Sequence, residues 1–136
     1  MNKQEFSQIR QHFRKTQNQM AQLLGISLKS VQSVEQEWRD IPVHIERQML
    51  FLLLLKGSLN KRRKPCWEIE KCSMEVRRNC PAWEFQAGQI CWFINGTVCH
   101  GKVQESWQEK MKICRRCEVF RSMLPPYLRE SGVSVI

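Results

Sequence analysis

Seven cysteines crowd into the interval from Cys66 to Cys117, and the sixty-five residues before them contain none. A small region with so many thiols has little room left for an apolar core. It is therefore a candidate for stapling by a metal or a cluster. An odd number of cysteines cannot be paired completely by internal disulfides. The first residues, Met-Asn-Lys-Gln-Glu-Phe, lack the apolar core of a signal peptide. The expectation is a cytoplasmic chain, in which thiols stay reduced and metal ligation is favoured over disulfides. The longest apolar run, Met49 to Leu55, is far short of the roughly 20 residues a membrane span needs.

With 136 residues there is room for one ordinary domain or two small ones. The net charge of +9 favours a polyanionic partner, and it is unevenly distributed. Residues 1–55 hold 7 Lys and Arg against 5 Asp and Glu, and residues 66–136 hold 10 against 8. The excess lies between them, mainly in Lys61-Arg62-Arg63-Lys64. Such a run is either a solvated linker or, beside a DNA-reading motif, a phosphate contact.

The cysteine-free half reads as helices. Phe6, Ile9, Arg10 and Phe13 share one face at steps of three and four. Thr16 is placed to cap a second helix with Gln19 as capping-box partner, and Met20, Ala21, Leu23 and Leu24 supply its buried side. Gly25 suits a left-handed helix end. Ser27 caps a third helix with Val31 and Val34 facing inward, and Pro42 opens a fourth that runs through Ile45, Met49 and Leu52 or Leu53 to about Lys56.

From Thr16-Gln17 through Ala21, Leu24-Gly25-Ile26-Ser27, Val31 and Val34-Glu35, the chain resembles the phage-repressor (lambda repressor and Cro) class of helix-turn-helix. The resemblance covers about residues 5–56. It departs after Glu35, where Gln36 and Glu37 stand in place of the glycine often found there. It implies that the third helix enters the major groove of double-stranded DNA. By position Leu28, Lys29, Gln32 and Ser33 would then meet base edges, and Gln17 and Ser30 the phosphate backbone. Gln32 suits adenine, Lys29 guanine or a phosphate, and Leu28 a thymine methyl. Such domains usually act as dimers, so a homodimer is expected. Leu50-Phe51-Leu52-Leu53-Leu54-Leu55 is either the dimer interface or a core helix covered by the second domain. The alternative for this half is a helical bundle that docks proteins.

The cysteine-rich half shows a weak internal repeat. Cys66-Trp67 through Cys72 parallels Cys91-Trp92 through Cys99, and each unit reads as a short strand or half a hairpin. Asn79-Cys80-Pro81-Ala82-Trp83 lies between them. Residues 103–113 read as an amphipathic helix delivering Cys114-Arg115-Arg116-Cys117, and the tail with Pro125-Pro126 as loosely held. The two Cys-Trp pairs, Cys80-Pro81-Ala82, Gly96-Thr97-x-Cys99 and the terminal Cys-x-x-Cys before Val119-Phe120 resemble the small two-CW domain of bacterial sensory proteins, over roughly residues 65–121. A cysteine-ligated metal centre in a sensory context is our inference from that company.

Two centres suit the thiols. A [4Fe–4S] cluster takes four of them, and Cys80-Pro81 and Cys114-x-x-Cys117 have the look of its ligands. Structural Zn2+ wants two close pairs, and only Cys114 and Cys117 form one. The cluster is favoured. Cys80, Cys99, Cys114 and Cys117 are the narrowest ligand set, with Cys66, Cys72 and Cys91 behind them and His100 more simply an exposed histidine. Trp67 and Trp92 would exclude water from the centre, or simply be the core.

These readings divide the chain into a helix-turn-helix domain (1–56), a basic linker (57–65), a cysteine-rich domain (66–121) and a tail (122–136). The expected fold is a mainly α helix-turn-helix bundle plus a small α+β, metal- or cluster-stapled domain. The expected function is a DNA-binding transcriptional regulator whose iron–sulfur domain senses redox state, oxygen or nitric oxide. One alternative is a DNA-binding protein with a structural zinc domain for docking a partner. Another is a thiol oxidoreductase using Cys114 and Cys117, with Arg115 and Arg116 lowering a thiol pKa, though no thioredoxin-like pattern surrounds them. With no nucleophile–base set, paired carboxylates or phosphate loop, an enzyme is not expected.

Overall fold

The computed structural model describes residues 1–36, 40–57 and 63–129. Most of these are helical, and the chain divides into two compact units, Met1–Lys56 and Gly57–Ile136. No described helix is long and apolar enough to cross a membrane.

In the first unit the helices are α1 (Lys3–His12), α2 (Gln17–Leu24), α3 (Leu28–Glu35) and α4 (Val43–Gly57). Their ends are set by local chemistry. The Asn2 side chain accepts the Glu5 N–H at 2.9 Å. Thr16 and Gln19 close a reciprocal capping box, each backbone N–H donating to the other's side chain at 2.9 and 3.1 Å. Gly25 takes φ +70°, a left-handed turn that lets the Ile26 N–H return to the Ala21 carbonyl at 3.0 Å. Ser27 then caps α3 by accepting the Ser30 N–H at 3.0 Å.

Phe6, Ile9, Met20, Ala21, Leu24, Val31, Val34, Ile45, Met49 and Leu53 fill the core. Leu23, expected inside, is 38 % exposed, because the stripe of α2 that meets α1 and α3 is only as wide as Met20, Ala21 and Leu24. Of the alternatives Leu52 and Leu53, it is Leu53 that points inward. A charge-assisted clamp adds orientation to this packing. Arg10 Nε and Nη2 donate to the two Glu35 carboxylate oxygens at 2.5 and 3.1 Å, and Gln17 Nε2 donates to the same carboxylate at 2.8 Å. The end of α3 is thereby tied to both α1 and the start of α2.

The second unit is assembled from short pieces: α5 (Cys66–Ile69), α6 (Met74–Arg78), α7 (Pro81–Glu84), a 3-10 turn (Cys91–Phe93), β1 (Val98–Cys99), β2 (Lys102–Val103), α8 (Trp107–Cys114) and α9 (Glu118–Arg121). The two strands are antiparallel, with Val98 opposite Val103 and Cys99 opposite Lys102. The strand expected from Cys66 is instead the helical turn α5, because Pro65 starts it and the Ile69 and Glu70 N–H groups fold back onto the Pro65 and Cys66 carbonyls. The strand expected from Cys91 is likewise a 3-10 turn, and only Val98–Cys99 pairs. The helix expected over 103–113 starts later, at the Ser106 cap, because Val103 belongs to β2.

Trp92 is the hub of this unit, fully buried and edge-on to Phe120 at 5.8 Å. The expectation of a loose tail from residue 122 is not met through residue 129. Met123, Leu124 and Leu128 are buried, since Pro125 accepts the Leu128 N–H and turns the chain back.

At Gly88 the chain passes so close to its neighbours that an added Cβ would lie 2.5 Å from Pro65 Cβ and 2.6 Å from Trp67. The Gly88 carbonyl accepts the Cys66 N–H at 2.7 Å, so this approach sets where the first thiol stands. Gly88→Ala should therefore cost the second unit about 1–3 kcal/mol, read by urea unfolding under tryptophan fluorescence. An unchanged midpoint would show that the approach is not needed.

Candidate metal centre

Each of the seven cysteines sits at the end of a short element or in the turn beside one. Cys66 opens α5, and Cys72 follows it beyond a turn in which Lys71 takes φ +54°. Cys80 and Cys117 occupy the positions just before α7 and α9. Cys91 opens the 3-10 turn, Cys99 ends β1 before a hairpin turn through His100 and Gly101, and Cys114 closes α8. These ends converge. All seven cysteines line one cavity of about 410 Å³, walled further by Trp67, Trp83 and Trp92. The sequence favoured Cys80, Cys99, Cys114 and Cys117 over Cys66, Cys72 and Cys91, and the cavity brings both sets together. His100 stands exposed at its lip. Among the described residues, no three Cys, His, Asp or Glu side chains gather closely enough to hold a single ion.

Several polar contacts single out individual thiols. The Val98 N–H donates to Cys80 Sγ at 3.4 Å. Cys99 Sγ donates to Thr97 Oγ1 at 3.9 Å, and Cys117 Sγ to Glu70 Oε1 at 3.3 Å. Cys91 donates to Cys66, which holds the Cys66 thiol below its ordinary pKa and the Cys91 thiol well above. Burial raises Cys72 and Cys99, with Thr97 and Lys110 opposing the rise at Cys99. It pushes Cys114 up to about 11, against the pull of Lys110. Cys117 is pushed up to about 12, first by burial and then by the Glu70 hydrogen bond. In the absence of metal most of these thiols therefore keep their protons near neutrality, and a metal must displace them to bind.

Two further groups belong to the site. Among the described residues the buried Trp92 Nε1–H finds no hydrogen-bond partner, although Trp92 lines the cavity. Lys110 is 3 % exposed and donates to Thr97 Oγ1 behind the cysteine wall. The sequence-based expectations leave out Lys110, and they include Thr97 only within the Gly96-Thr97-x-Cys99 motif. The signal for the lysine was present, since Trp107, Lys110, Met111 and Cys114 form the buried stripe of α8 and a lysine in such a stripe is anomalous.

The positions expected to meet DNA fall on and around α3. Leu28 (39 % exposed) and Lys29 face solvent, and Ser30, Gln32 and Ser33 are half-buried. Ser30 Oγ shares a hydrogen bond with Ser27 Oγ at 2.9 Å, and Gln17 is held by Glu35. Of the basic run, Lys61 and Arg62 lie outside the described residues and Lys64 is exposed. Arg63 is half-buried, with Nε and Nη1 enclosed.

No protein-family model, curated protein or solved structure matches this chain.

Folding raises the Cys114 and Cys117 values above the ordinary 9.0. The metal-free unit therefore holds their contribution to stability below pH 9.0 and loses it as pH rises through 11 and 12. Alkylation of metal-free protein at about pH 8, where only thiolates react appreciably, should modify Cys66 before Cys91, Cys114 and Cys117 when followed by peptide mass. Uniform rates at all seven positions would contradict this electrostatic picture.

Proposed function

We propose that the chain is a cytoplasmic DNA-binding regulator whose first unit is a helix-turn-helix and whose second unit holds a [4Fe–4S] cluster on cysteine thiolates. The observation that carries the reading is the convergence of seven thiols on one cavity. Four thiolates on one zinc ion must crowd to about 2.3 Å from a common point. Around a four-iron core they stand at its corners, separated by the core itself. A broad thiol-rimmed cavity suits the second arrangement better. The donor set is soft sulfur, as both iron–sulfur and zinc centres require. The orphaned Trp92 N–H suits a sulfur-rich occupant, because hydrogen bonds to sulfur are among the means by which a protein tunes such clusters. When bound, the cluster would supply a one-electron redox centre that oxygen or nitric oxide can attack.

The chain's own residues do the rest. Cys80, Cys99, Cys114 and Cys117 remain the preferred ligands, with Cys66, Cys72 and Cys91 able to take their places. Trp67, Trp83 and Trp92 line the cavity and would keep water from a bound cluster. Cys114 and Cys117 have pKa values too high for a thiol–disulfide pair working near neutral pH, which weighs against an oxidoreductase. In the first unit, the Gly25 turn and the Arg10–Glu35–Gln17 clamp would fix α3 as the recognition helix, with Lys29 and Gln32 reading bases. Leu55, 42 % exposed at the end of α4, offers part of a homodimer surface. Sensing requires that cluster-loaded and cluster-free protein differ in how they hold the DNA-binding units.

The test is to select duplexes from a random pool with anaerobically purified protein, then compare affinities of loaded and cluster-free protein at one salt concentration. A difference of about tenfold or more, about 1.4 kcal/mol, is expected. Gln32→Ala should cost about 1–3 kcal/mol on the selected duplex and little on an unrelated one. Equal affinity of the two forms removes sensing from the account, and failure to enrich any duplex removes sequence reading.

A further inference from the structure

We propose that Lys110, fixed by Thr97, is a built-in counter-charge for an anionic thiolate-ligated centre and holds Cys99 as one of its ligands. The inference rests on the reading that the thiol cavity binds metal, and it applies to either metal. Four thiolates around a zinc ion, or around a four-iron core of the same charge, leave about two negative charges in excess.

Lysine side chains normally run along apolar surface and release the ammonium to water. Lys110 does not. It lies on the buried stripe of α8 with Trp107, Met111 and Cys114, and is 3 % exposed. Among the described residues its hydrogen-bond partner is the Thr97 hydroxyl, itself 1 % exposed, and no carboxylate pairs with it. A buried ammonium met by one neutral oxygen is costly in the metal-free protein.

The groups around it are cavity thiols: Cys114 lies one turn further along the same buried stripe of α8, and Cys99 stands two residues beyond Thr97. Thr97 extends the effect of its charge to one of them in particular. Its oxygen accepts from Lys110 and lies 3.9 Å from Cys99 Sγ. With a lone pair engaged by the ammonium, the Thr97 hydroxyl proton can turn toward Cys99 once that thiol has lost its own proton to a metal. Lys110 and Thr97 are positioning residues in this scheme, acting through Cys99 and through charge, and neither is a ligand.

The full-length wild type, Lys110→Met, Lys110→Arg and Thr97→Val proteins would be loaded with metal and challenged with excess chelator. Metal content and release rate would be followed, and the metal-free forms unfolded in urea. Lys110→Met should release metal at least tenfold faster than the wild type, Lys110→Arg should restore most of the retention, and Thr97→Val should fall between. Metal-free Lys110→Met should unfold at a higher urea midpoint than metal-free wild type, because the uncompensated charge is gone. These opposite signs distinguish a counter-charge from a packing residue. Retention in Lys110→Met equal to wild type, or a joint loss of retention and metal-free stability, would overturn the proposal. Zinc in place of iron in the wild type would defeat the cluster reading and leave the counter-charge standing. A wild type that takes up no metal would overturn both.

Discussion

The described α-helices of the second unit have four to eight residues and its described strands two. Helices shorter than about 12–15 residues do not persist alone in water, and a two-residue ladder contributes little. Their ends are instead gathered around a shared wall of thiols that includes Trp92 and Phe120, with Ala82 and Val119 packed against Cys66, Cys80, Cys91 and Cys117. Everything proposed for this half depends on that convergence. The thiols stand at element ends, where the chain changes direction, so an occupant of the cavity would tie the turns together directly.

Electrostatics gives the site its character. The hydrogen bond to Cys66 holds Cys91, and burial holds Cys114 and Cys117, as neutral thiols while Cys66 leans toward thiolate, and the Lys110 ammonium favours the thiolate at Cys66, Cys99 and Cys114. Such a wall is quiet without metal and becomes strongly anionic when protons are exchanged for it. The second state compensates the lysine that the first leaves costly. The first unit has the opposite economy. Its core is an apolar set, and its helices are closed by caps and by the Arg10–Glu35 clamp.

The sequence was legible where local rules dominate. Thr16 with Gln19, Gly25 and Ser27 mark helix ends by hydrogen bonds made within a few residues, and the structure makes those bonds. Its mainly helical character followed from the same periodicity. Legibility failed where tertiary packing overrides pattern. The unit from Cys66 reads as a short strand but turns helical after Pro65, and the Pro125-Pro126 tail hides an apolar return through Leu128. The cysteines could be named as one site from their density. That all seven line one cavity could not, because it depends on long-range contacts such as Trp67 on Trp83, Val98 N–H on Cys80 and Lys110 on Thr97 that no spacing rule encodes. Lys110 was readable only as an anomaly, a charge on an apolar stripe, until the thiols beside it supplied a reason.

The central claim is that this thiol wall holds an iron–sulfur cluster. Its most direct test is iron, acid-labile sulfide and zinc analysis of protein purified without oxygen, with its absorption spectrum. The account predicts a brown protein with about four irons and four sulfides per chain and a broad band near 400 nm, roughly the thiolate-to-iron charge-transfer region. A colourless protein with one zinc per chain would contradict it.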